Sequence, residues 1–202
     1  NFGHPSKDIY YLSERNDRKM KKTKSMKLIS LLLSMMMVLS LFSVTGMTAS
    51  AAEVTTADEF KNAVYAGGEI KLANDITIPL NKNNINFLRE TTLDLNGHSI
   101  TLQLTSNLEH ITVSAPLTIK DGAGGGKISS PCTTYPFGVF VDGSLTLEGG
   151  TLEFTASGND GINVYGGPFT MTGGEIVSSG YSIWREKSDV TISGESVKTL
   201  GA

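Results

Sequence analysis

Carboxylates are the groups through which this chain would do chemistry. Asp142 precedes Gly143, Asp160 stands between Asn159 and Gly161, and Asp189 closes the densest charge run, Arg185, Glu186 and Lys187. Carboxylates held close together can cleave a glycosidic bond by acid–base catalysis or bind calcium for an elimination. Beside that run stands Trp184, the single tryptophan; an outward-facing ring there can stack on a sugar. Other reactive types are sparse. His4, His98 and His110 are too scattered for a metal cluster. Cys132, within Ser130 to Pro136, is the only cysteine, so no internal disulfide forms, and it reads as a partly buried loop thiol. Gly122 to Lys127 invites comparison with a phosphate loop, yet Ile128 stands where Ser or Thr would hold magnesium. It reads as a floppy corner.

These side chains must be positioned by a repeat. A glycine-stopped alternation of apolar and polar residues begins at Leu117, Leu145, Phe169 and Val190, spaced by 28, 24 and 21 positions. Short strands and glycine turns at that period predict a solenoid of stacked coils. Alternation places Leu117 and Ile119, Leu145 and Leu147, Phe169 and Met171, and Val190 and Ile192 inward. Thr118, Thr146, Thr170 and Thr191 then form an outward ladder, with Asp94 and Thr77 expected in the same slot of earlier coils. A second column holds Ile100, Leu102, Ile128, Leu152, Phe154, Ile176 and Val197. A third holds Ile111, Val113, Val139, Val141, Ile162, Val164 and Ile183.

Three strands per coil and about six coils predict an all-β fold: a single-stranded parallel β-helix. Gly149–Gly150, Gly173–Gly174 and Gly194 mark one corner; Gly143 and Gly166–Gly167 mark another. An antiparallel sandwich with hairpins at these glycines is the rival, but sandwiches rarely repeat their own sequence so closely. In the solenoid register Asp142 follows its strand, Asp160 precedes the next, and Asp189 precedes the column beyond. They do not align, so Asp160 reads as a turn residue, and no catalytic, cofactor-binding or metal-ligating residue is assigned. His98, after Gly97, reads as a turn-side hydrogen-bonding group. Trp184 reads first as a ring half-covered by neighbouring chain and second as a sugar platform.

Solenoid ends need caps. Residues 52–67 predict one: Thr56 and Glu59 have capping-box spacing, Gly67 can end the helix, and Phe60, Ala63 and Val64 form an apolar stripe. Residues 68–202 carry the coils, which are expected to continue beyond Ala202. Residues 1–19 read as an upstream leader outside the fold. Residues 20–51 read as a signal-peptide helix: a basic start from Met20 to Lys27, an apolar run from Leu28 to Val44, and an Ala49-Ser50-Ala51 cleavage site. Cleavage after Ala51, or Ala52, predicts a secreted or cell-surface product that meets the membrane only through its signal. From Ala52 onward 17 carboxylates face 9 basic side chains, a net of −8 against −3 for the whole chain. That balance argues against nucleic acid as a partner.

The stretches Val54 to Ala63, Gly67 to Ile78, Leu93 to Ile100, Leu145 to Leu152 and Phe169 to Ile176 resemble the right-handed parallel β-helix proteins of the pectate-lyase-like superfamily. More narrowly, the chain is similar to exported surface proteins of Gram-positive bacteria described as pectate-lyase-like adhesive domains. The resemblance covers roughly Ala52 to Ala202. Regular stacking without a convergent polar site makes the leading reading a non-catalytic domain without cofactors that binds glycans or host and matrix proteins, or serves as a rigid presenting stalk. Enzymes of the superfamily carry an aspartate cluster with an Arg or Lys, or a Gly-His-Gly histidine. No such set occurs here, and no catalytic residue is carried over. The alternatives are a polysaccharide lyase or hydrolase with an incomplete site, and a self-associating surface-layer component.

Overall fold

The computed structural model describes residues 50–80, 84–103, 111–130, 137–156, 158–194 and 198–200, all within the compact unit Ala49–Ala202. Most of residues 1–51, expected to be leader and export signal, lie outside the described residues, as do His4, His110, Cys132 and Val197. Strand β1 (Ala52–Val54) and helix α1 (Ala57–Ala66) come first, followed by a rung of β2 (Gly68–Leu72), β3 (Ile76–Pro79) and β4 (Ile85–Phe87). The second rung is β5 (Thr91–Asp94), β6 (Ser99–Gln103) and β7 (Ile111–Val113); the third is β8 (Leu117–Lys120), β9 (Lys127–Ser129) and β10 (Phe137–Val141). The fourth is β11 (Leu145–Leu147), β12 (Thr151–Phe154) and β13 (Asp160–Val164). The fifth is β14 (Phe169–Met171), β15 (Glu175–Ser178) and β16 (Ile183–Arg185), after which β17 (Val190–Ile192) and β18 (Lys198–Leu200) begin another.

Equivalent strands pair in parallel into three sheets, ordered β1-β2-β5-β8-β11-β14-β17, β3-β6-β9-β12-β15-β18 and β4-β7-β10-β13-β16. This is an all-β parallel solenoid. The five strands of the third sheet enclose about four complete turns, rather than the six coils expected. Among the described residues the sixth rung holds only β17 and β18 and has no strand in the third sheet.

The core is a set of files running down the interior. Leu117, Leu145 and Phe169 are register partners, as are Ile119, Leu147 and Met171, and all six are buried. The second sheet lines up Ile76, Ile100, Ile128, Leu152 and Ile176; the third lines up Ile85, Ile111, Val139 and Ile162. Burying each such side chain is worth about 1.5–3 kcal/mol, and only a neighbouring rung can supply the burial.

The ends of the first column differ from expectation. Asp94 pairs with Lys120, not Thr118, and Thr92 takes the threonine slot. The cause is local: the Asp94 carboxylate accepts the Asn96 and Gly122 backbone N–H groups, at 2.9 and 3.0 Å, which holds it at the corner. Thr77 belongs to the second sheet, opposite Thr101, and the first-rung strand of this column is β2, with Glu69 in the slot. The outward ladder is therefore Glu69, Thr92, Thr118, Thr146, Thr170 and Thr191. At the other end Val190 is only partly buried and Ile192 is 48% exposed, because β17 ends its sheet.

The cap forms as the residues dictate. Thr56 accepts the Glu59 N–H while the Glu59 side chain accepts the Thr56 N–H, and Gly67 ends the helix with φ 76°. Phe60, Ala63 and Val64 are buried against the first rung, and β1, not anticipated, adds a strand outside β2. Hydrogen bonds from Thr55 and Thr56 hold the Glu59 carboxyl below its ordinary value. A lowered folded-state pKa means that this contribution is complete above the ordinary glutamate range and is lost as pH falls through the lowered value. Stepped-pH melting should show that acid sensitivity reduced in Glu59→Gln; an unchanged profile would contradict it.

Phe154 lies deep in the interior, and its ring occupies the space that a Cβ on Gly138 would need. Gly138→Ala should therefore destabilise the fold by about 1–3 kcal/mol, the typical cost of overpacking. Thermal unfolding checks this, and a wild-type melting temperature would refute the packing.

Candidate functional site

The acidic residues are distributed along corners, and many of them bind backbone. Asn96 and Gly97 turn the chain with φ 50° and 81°, and the His98 N–H closes the turn on Leu95 O at 2.8 Å. Positive φ at both central positions explains Asn followed by Gly. This turn is tied to both neighbouring rungs: Asn96 Nδ2 donates to Leu72 O at 3.0 Å, and Gly97 N donates to Asp121 Oδ1 at 2.7 Å. Asp121 Oδ2 also accepts from Gly126 N at 2.7 Å, so the Gly122–Lys127 segment is pinned at both ends rather than floppy. Asp75 Oδ1 accepts from Ser99 N at 2.8 Å, and Lys127 Nζ meets Glu153 Oε2 at 2.9 Å.

The three acids singled out in the sequence do not converge. Asp142 follows β10, Asp160 opens β13, and Asp189 precedes β17. Asp160 Oδ1 accepts the Tyr181 N–H of the next rung at 2.7 Å, a turn-residue role. His98 serves its turn through its backbone, and its Nδ1 lies 3.4 Å from Asp75 Oδ1. Among the described residues, no group of three or more His, Cys, Asp or Glu is placed to hold a metal.

Two surface features remain. An apolar groove of about 470 Å³ runs between α1 and the first rung, lined by Lys61, Tyr65, Leu80, Asn84, Ile85 and Leu88 among others. The second is the outer face of the third sheet towards β16. Inward Val139, Ile162 and Ile183 alternate with outward Phe140, Asn163 and Trp184, which are register partners. Trp184 is 43% exposed and meets Tyr181 edge-on at 5.3 Å. Phe140 stacks on Tyr165 at 5.6 Å, and Lys187 Nζ sits 4.6 Å from the Tyr165 ring centre. Asn163 is buried beneath this surface, and its Oδ1 has no hydrogen-bond partner.

Sequence reasoning placed Trp184 outward and missed the rest of this group. The signal was present: Phe140 and Asn163 each follow an inward residue of the third column by one position. Neither family models, curated proteins nor solved structures match this chain. The strand pairing defines a parallel β-solenoid, and Asp75, Asp94, Asp121 and Asp160 tie its corners to neighbouring rungs.

Asp121→Ala should lower stability by about 1.5–3 kcal/mol, since it removes a charged acceptor from two backbone donors. Chemical denaturation measures this; an unchanged midpoint would contradict the tie.

Proposed function

We propose that the chain is an exported, non-catalytic bacterial surface domain that works in adhesion or as a rigid presenting stalk. One observation carries the reading: Asp160, one of the three acids weighed for chemistry, is taken up by the Tyr181 N–H, as Asp94 and Asp121 are by other corner donors. Acids engaged in this way favour a scaffold role over acid–base catalysis. The tripartite export segment supports secretion, and the residues resembling pectate-lyase-like adhesive domains support the surface assignment. Loops and faces on a rigid framework are suited to recognition, and partners would be glycans or host and matrix proteins. Asn84 and Asn86, which line the groove at α1, form part of one such surface.

The purified protein should bind selected ligands when applied to a glycan array and to immobilised matrix proteins, without shortening any polysaccharide offered to it. Cleavage of polygalacturonate, abolished in Asp160→Asn, would replace the adhesive reading with an enzymatic one. Concentration-dependent assembly in light scattering, with no ligand bound, would replace it with self-association.

A further inference from the structure

We infer that the outer face of the third sheet around Trp184 is a binding site for an extended, neutral β-1,4-linked pyranose chain lying along the solenoid axis. The inference deepens the adhesive reading and rests on it. Three properties of the face select this ligand.

The first is aromatic surface. Trp184 and Tyr181 are 43% and 63% exposed and form an edge-to-face pair, while Tyr165 is partly exposed above the stacked Phe140. Exposed rings of this kind pack against the C–H faces of sugars, giving apolar contact without requiring charge.

The second is an unpaired acceptor. Asn163 lies between Phe140 and Trp184 in register, and alternation with fully buried Ile162 and Val164 places its side chain on the outer face. It is only 7% exposed, and Oδ1 has no partner. A buried amide oxygen without a donor is unfavourable, so a hydroxyl that reaches it gains more than one that meets a solvated acceptor. A sugar presents a ring face and hydroxyl donors at its edge, which matches rings flanking an acceptor.

The third is spacing and charge. Phe140, Asn163 and Trp184 sit on successive rungs, about 4.8 Å apart. That step is close to the rise per residue of an extended β-1,4-linked pyranose chain, so consecutive sugars can meet consecutive rungs. An α-1,4-linked glucan curves away from such a line. The adjoining Arg185, Glu186, Lys187 and Asp189 balance in charge, and Lys187 is engaged over Tyr165, so nothing here selects an anionic sugar.

Trp184 is the only tryptophan, so selectively excited tryptophan emission reports this face alone. Titrating the purified protein with cellohexaose, xylohexaose and chitohexaose should give a saturable emission change with at least one of them. Affinity for maltohexaose should be at least tenfold weaker. Asn163→Leu and the more exposed Tyr181→Ala should each weaken binding tenfold or more; if Asn163→Leu fails to fold, Tyr181→Ala decides. No saturable change, equal affinity for maltohexaose, or unaffected binding by folded variants would overturn the proposal. Calorimetric binding of these sugars with silent Trp184 emission would also overturn it, while leaving the adhesive reading intact. That reading falls separately, by the array and matrix assays.

Discussion

An apolar side chain in this protein completes its burial only against the equivalent residue one rung away. Leu145 has Leu117 on one side and Phe169 on the other, and the same holds for each interior file. No rung encloses a core alone, because three short strands cannot exclude water from both of their edges. The hydrophobic stabilisation is thus a property of neighbouring pairs of rungs. Everything else in the structure preserves that stacking or ends it.

The polar groups follow from the same constraint. Corners interrupt the hydrogen-bond ladders, leaving backbone donors that need partners. Asp75, Asp94, Asp121 and Asp160 supply acceptors to Ser99, Gly122, Gly97 and Tyr181 on adjacent rungs. Rungs are therefore tied at their corners as well as along their strands. At the N-terminal end α1 lays Phe60 and Val64 over the first rung. Side chains on the outer faces are left free of these duties, which is where the aromatic group around Trp184 is found.

Much of the fold was legible in the sequence because inward files need apolar residues at fixed alternation. Leu117, Leu145 and Phe169 announce one another, as do Val139 and Ile162. The cap was legible too, since Thr56 and Glu59 act within a single turn of chain. The offset at Asp94 was not, because Leu93 and Leu95 alternate equally well in either register and a carboxylate–backbone tie selects between them. Gly138 gave no sign of its partner: Phe154 reaches it from a different sheet. The exposure of Ile192 follows from its place on the outermost strand of its sheet, which its own residue type does not encode. For the outer face of the third sheet, alternation located Trp184, whereas the unpaired state of Asn163 Oδ1 depends on three-dimensional neighbours.

The stacking itself is tested most directly by measuring distances along the outward ladder. Spin labels placed pairwise at Glu69, Thr92, Thr118, Thr146, Thr170 and Thr191 report one position on each successive rung. Separations between labels should lengthen by about 4.8 Å for every rung between them. Separations that fail to grow with rung number, as in a sheet folded back on itself, would contradict the stacked-rung account.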